Sequence, residues 1–448
     1  EMTIVVRCWW LALSLLAPLV LADELGERLT ALEDRPQLNL ELFRQQLLEL
    51  KPLLATADEQ NNRRWRRQWC WSQRETGVDT AIAFASEQLA RAEAAGDQAA
   101  AVDFHLCRGW FLQLALRPAE ARAAFDHALA QAIAHKLPRA TADARYLRGD
   151  LLAYNGEVGS GIIELQQAYQ QYSQLGLDAW ANYTLANLAN SYRRMGDYQQ
   201  ALNELNQLVA HYHLADDGGI LPSLQLQRGQ LLADMGRYQE AFAELNVARQ
   251  SYASSGDHLG IVLADANIGR ALLLMKRYPE ALQILGRARA SYPNPELLEW
   301  GLIRLFEGEA LLGQGLEGLA LQAFTDAEKL LRADNNPRLL VILLAGQAKA
   351  QAGLKEFAKA YQLSQEQITL EQQLHQWQQD QQLSHMRLEF EQARRQQETA
   401  KLMAERDSER ERLTNLERIS ALQYTTLLLS SLLLLVALIW VRRHWWRS

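Results

Sequence analysis

Residues 186–208, from Ala186 to Leu208, read ANLANSYRRMGDYQQALNELNQL, and this stretch decides the fold. A small residue, Ala189, is followed three positions later by Tyr192. Met195-Gly196-Asp197 then breaks the pattern, and Ala201, Leu205 and Leu208 restore it. Spacings of three and four put such residues on one face of a helix, and a glycine between two such faces supplies a left-handed helix end. The stretch is therefore two short helices packed through small residues. The pattern recurs along the chain, with Ala189 standing in the series Gly109, Gly149, Ala189, Gly229, Gly269 and Gly308, at a period of 40 residues and once 39. Ala201 belongs with Ala121, Gly161, Ala241, Ala281 and Ala320, and Leu205 with Phe125, Leu165, Leu245, Leu285 and Phe324. Leu208 belongs with Ala128, Ala168, Ala248, Ala288 and Ala327. Four registers that hold phase over six units define an array in which each helix pair buries its apolar face on its neighbours.

The wider composition agrees with an all-α chain: only 10 of 448 residues are Pro, and 48% are hydrophobic. A formal net charge of −7 gives no global basic field, so no nucleic-acid partner is expected. Arg63-Arg64-Trp65-Arg66-Arg67 reads as the basic outer face of a capping helix. His211, His213, Asp216 and Asp217 have metal-ligand chemistry but sit at a unit junction without helical spacing, so they read as a turn and no metal is expected. No phosphate-binding glycine loop, nucleophile elbow or Cys-x-x-Cys pair occurs, so no catalytic residues and no cofactor are expected and the chain does not read as an enzyme.

The succession small-x-x-Tyr/Leu, Gly-x-Tyr-x-x-Ala and Leu/Phe-x-x-Ala, clearest from Ala186 to Ala288, resembles the tetratricopeptide repeat. The period is longer than that family's 34 residues; the added residues fall between units, around Leu175-Gly176-Leu177-Asp178 and Ser255-Gly256-Asp257. HEAT and armadillo repeats fit the period but lack Gly-x-Tyr-x-x-Ala. The resemblance implies an α-solenoid of helix-turn-helix repeats over 60–364, with degenerate end units at 60–100 and 348–364. It also implies that the residue after each small one faces a concave groove that binds a peptide or protein partner. That series is Trp110, Asp150, Asn190, Gln230, Arg270 and Glu309, joined by Asn187 and Asn267 three residues earlier and Arg193 three later. Amide and guanidinium groups in such a ladder can hold a peptide's backbone or a carboxylate.

The flanks set the expected topology. Residues 1–22 have the layout of a signal peptide, with Glu1 standing ahead of Met2, and 23–59 form a helical N-terminal segment. Residues 365–422, free of Pro and Gly, predict a long helix, with heptad spacing at Leu370, Leu374 and Trp377 and again at Met386, Phe390 and Ala393. That pattern is compatible with a coiled coil and a parallel homodimer. Residues 423–441 predict one transmembrane helix followed by a basic tail, 442–448. A signal sequence and a single span place the body in the bacterial periplasm, anchored in the inner membrane, and the tail in the cytoplasm. Cys70 and Cys107, on adjacent units and in nearly one phase, could pair as a disulfide in that compartment. The order resembles the periplasmic input region of membrane-bound diguanylate cyclases and of histidine kinases, although the output motifs of both are absent from this chain. The expectation is a sensory or receptor module acting through a cytoplasmic or membrane signalling partner. A periplasmic scaffold for envelope proteins and the truncated input half of a cyclase stay open as alternatives.

Overall fold

A computed structural model describes residues 24–215, 220–292 and 294–445. The expected signal peptide, Asp216, Asp217 and residues 446–448 of the expected tail lie outside the described residues. The described chain is helical and contains no strand. It begins with α1 (24–33), α2 (Leu40–Leu50), α3 (Glu59–Trp71) and α4 (Val78–Ala94). The paired helices follow: α5 (Gln98–Leu114) with α6 (Pro118–Ala134), α7 (Pro138–Asn155) with α8 (Val158–Gln174), and α9 (Asp178–Met195) with α10 (Tyr198–Ala215). Next come α11 (Leu221–Asp234) with α12 (Tyr238–Ser254), α13 (His258–Leu274) with α14 (Tyr278–Ser291), and α15 (Leu298–Gly313) with α16 (Glu317–Asp334). The last pair is α17 (Pro337–Gly353) and α18 (Phe357–Trp445).

The registers explain why the helices pair. A Cβ on Gly109 would stand 2.5 Å from the Phe125 ring, one on Gly229 2.6 Å from Leu245, and one on Gly269 2.5 Å from Leu285. The small residue of the first helix thus receives the large residue of the second, and Phe125, Leu245, Leu285 and Phe324 have no exposed surface. Close-packed interiors admit no extra methyl at such points, which fixes the residue type. Between the helices of a pair the chain passes through the left-handed region, at Gly196 (φ 91°) and Gly236 (φ 78°) but at Lys276 (φ 58°) in the next unit. There a side chain carries the modest strain that glycine avoids.

Two features shape the space inside the array. Residues four units apart meet: the Tyr154 hydroxyl donates to Asp334 at 2.8 Å, and Arg338 donates to the carbonyl of Arg194. At the other end, Cys70 on α3 and Cys107 on α5 are joined as a disulfide, tying the first cap to the repeats. The polypeptide divides into two compact units, residues up to 381 and residues from 382. In the first, α18 acts as the second helix of the last pair, so that Leu370 packs on the solenoid core and Leu374 lines its cavity. These two expected heptad residues therefore face the solenoid of their own chain, and the helix that carries them starts at Phe357. In the second unit α18 carries an apolar window, Leu422–Ile439, of mean hydropathy 2.0. Eighteen residues at about 1.5 Å each reach roughly 27 Å, enough for a hydrocarbon core.

Candidate peptide-binding cavity

The first helices of successive units turn the same face inward, and the closure at Tyr154 and Arg338 leaves a cavity of about 560 Å³ between them. One wall is polar: Asn190 and Arg193 from α9, Gln230 and Asp234 from α11, Asn267 and Arg270 from α13. Apolar side chains line the rest of the cavity, Leu302, Ile303 and Phe306 on α15, Leu339 and Ile342 on α17, and Leu374, with Glu299 and Arg338 charged among them. The periodicity puts the polar residues there, since positions one turn apart on a helix share a face and consecutive units repeat that face.

An ion-pair bridge orders the polar wall. Asp234 accepts from Arg193 and, at 2.8 Å, from Arg270, so one carboxylate joins three consecutive units. Burial works against this carboxylate, but the two guanidinium groups outweigh it and hold its pKa below the usual range. Arg193 also donates to the Asn190 amide oxygen at 2.8 Å, and Asn267 donates to the Leu263 carbonyl at 2.7 Å. Two further arginines line the cavity. Burial lowers the Arg194 pKa to about 10, against the pull of Asp150 and with the help of Arg193 and Arg338. Its Nη1 is enclosed and has no hydrogen-bond partner. Burial, then Arg193, lowers that of Arg338 as well. The cavity lining is thus rich in donors, with amides that serve backbone and cations that serve carboxylates.

Of the expected groove residues, the cavity brings together Asn190, Arg193, Gln230, Asn267 and Arg270. The other four do not line it. Trp110 lies against Trp71, ring centroids 5.7 Å apart, because the capping helix α3 covers the first full unit. Asn187 spends its amide protons on the Tyr146 hydroxyl at 3.2 Å and the Tyr183 carbonyl at 3.0 Å. Asp150 is buried, which raises its pKa against the attraction of Arg194. Burial also raises the Glu309 pKa, with Arg270 and Lys349 opposing. Reading the sequence one turn further along α9 and α11 would have found Arg194 and Asp234. Arg338 carries no such signal, since the closure that brings α17 to α9 joins residues 144 positions apart. Among the described residues no group of three or more His, Cys, Asp or Glu could hold a metal ion.

A tetratricopeptide-repeat family profile matches residues 221–294. No curated protein sequence matches. Among solved structures, that of a Rap protein complexed with Competence and Sporulation Factor is similar over 81% of this chain and 99% of its own, with a TM-score of 0.57 and 14% identity. Aspartyl phosphate phosphatase F from Bacillus subtilis aligns over 78% of this chain and 94% of its own, with a TM-score of 0.49 and 14% identity. The fold is a helical-repeat solenoid of tetratricopeptide type, an architecture that generally serves protein–protein interaction rather than catalysis.

Proposed function

We propose that this chain is a membrane-anchored receptor whose central cavity binds an extended peptide, presented free or as part of a protein. The observation that carries the reading is one cavity of about 560 Å³ lined by both donor-rich and apolar side chains, a volume suited to a few residues of peptide. Asn190, Gln230 and Asn267 hold the peptide backbone, Arg193 and Arg270 an acidic group, and Phe306 and Ile342 an apolar side chain. The Rap protein crystallised with Competence and Sporulation Factor shares the fold and lends the reading support by likeness of architecture. The helix Leu422–Ile439 anchors the solenoid in a bacterial inner membrane, and the body lies in the periplasm, where Cys70 and Cys107 stay oxidised. Occupancy of the cavity is passed through α18 to a separate cytoplasmic or membrane partner.

The test pans a random octapeptide pool on the full chain in detergent and repeats it on Asn267→Ala/Arg270→Ala. Peptides selected by the wild type should bind the variant at least tenfold more weakly. Equal recovery on both proteins would remove the cavity from the account. A separate exchange of the span and tail for an unrelated anchor distinguishes a receptor, which then loses its output, from a scaffold, which keeps it.

A further inference from the structure

The segment from Glu33 to Glu41 links α1 to α2 and lies along the N-terminal ends of α7, α9, α11 and α13, with 34–39 outside any helix. Its contacts advance unit by unit. The backbone carbonyl of Glu33 accepts from Arg139 Nη2 on α7 at 3.2 Å and from Trp180 Nε1 on α9 at 2.8 Å. Leu38 packs on the apolar cluster shared by α9, α10 and α11. Asn39 Nδ2 donates to the carbonyl of Ser255, just before α13, at 3.1 Å, and Glu41 meets His258 Nδ1 at 2.8 Å. The spacing fits a chain extended between the two helices: seven steps of about 3.3 Å from Glu33 to Leu40, where α2 begins, cover roughly 23 Å, close to the roughly 24 Å of three helix-to-helix steps of about 8 Å.

Capture of a backbone carbonyl by two side-chain donors, one apolar side chain on a helix cluster, and polar contacts beyond it make up the chemistry by which a groove reads an extended peptide. The strap borders a second cavity of about 400 Å³, lined by Leu40 and Glu41, which adjoins the central cavity through the shared residue Val262. We propose that this rim is a second peptide-docking track, distinct from the central cavity, and that residues 33–41 are its resident ligand in cis, which an incoming peptide of like pattern must displace. Tethering gives the strap an effective concentration on the order of millimolar, which weakens every competitor in proportion. Because α1 and α2 are both held by the cluster around Trp65, the strap can bulge away while its flanking helices stay folded.

The test uses the full chain in detergent and a synthetic peptide of residues 33–45, EDRPQLNLELFRQ, labelled with fluorescein at its C-terminus. In Leu38→Asp, which alters the strap and leaves the rim intact, the peptide should bind at least tenfold more tightly than to the wild type. Unlabelled 33–45 should compete it off. Equal binding to both proteins, or none to a Leu38→Asp chain of wild-type helicity, overturns the proposal. If Leu38→Asp loses helicity, Glu41→Gln decides, because its Glu41–His258 contact is exposed. There a two- to threefold gain supports the proposal and no gain overturns it. Asn267→Ala should leave binding of 33–45 unchanged, so a failure here and a failure of the cavity reading are told apart.

Discussion

The helix pairing can be tested at one atom. Gly161, on α8, would place a Cβ 2.6 Å from the carbonyl oxygen of Gly149 and 2.7 Å from the amide nitrogen of Ala153, both on α7. These are backbone atoms, so no rotamer change relieves Gly161→Ala and the two helices must part by several tenths of an ångström. Overpacking of this kind costs about 1–3 kcal/mol, more than the gain of up to ~1 kcal/mol in helix propensity from replacing glycine. Gly286, inside α14, meets nothing within 4 Å, so Gly286→Ala keeps the propensity gain alone, about 0.5–1 kcal/mol. Melting of a repeat array need not be two-state, so the readout is amide hydrogen exchange, followed helix by helix with mass spectrometry. With a net loss of about 1–2 kcal/mol, amides of α7 and α8 in Gly161→Ala should exchange roughly 5- to 30-fold faster. Those of α14 in Gly286→Ala should exchange about two- to fivefold slower. Unchanged or slower exchange in Gly161→Ala would refute the claim that the small residues set the interhelical distance.

Removing the cavity's central carboxylate with Asp234→Ala leaves Arg193 and Arg270 without it and should cost about 1–3 kcal/mol, read as faster exchange in α9, α11 and α13. Because the Asp234 pKa is depressed in the fold, its contribution is present above the ordinary carboxylate range and fades as pH falls through the lower folded value, which an acid titration of helicity will register. Asp334 behaves in the opposite sense. Burial raises its pKa to about 6, against the Tyr154 hydrogen bond, so its contribution is full below about 4 and is lost as pH rises through 6. Asp334→Asn should therefore flatten the pH dependence of stability between 4 and 6, whereas an unchanged slope would contradict the assignment. Breaking the Cys70–Cys107 link with Cys70→Ser/Cys107→Ser reopens a loop of 37 residues, worth about 3–4 kcal/mol by chain entropy, and should speed exchange in α3 and α5 while α13 to α17 stay unaffected.

The repeat fold was legible because its constraints are local and recur: Gly229 and Leu245 meet within one unit, and the next unit repeats the contact as Gly269 and Leu285. The same periodicity located the polar wall at Asn190, Gln230, Asn267 and Arg270. What it could not convey depends on closure over long sequence separations. Tyr154 and Asp334 are 180 positions apart, and no register links them. The strap was hidden for the same reason, since Glu33 and Asn39 carry no pattern and acquire meaning only beside Trp180 and Ser255. Trp110 and Glu309 share the inward phase of the series, yet neighbouring packing decides whether a given residue of that series reaches the cavity. Leu370 and Leu374 likewise show coiled-coil spacing, and the last helix pair uses that spacing for its own packing.

The central claim, that the space between α9, α11, α13 and α17 receives a peptide, is tested most directly by hydrogen exchange of the full chain in detergent with and without an octapeptide selected on it. Peptide binding there should add protection at 190–195, 230–235 and 263–271 and over the start of α17. Binding that leaves those segments unchanged while protecting another surface of the chain would contradict the claim.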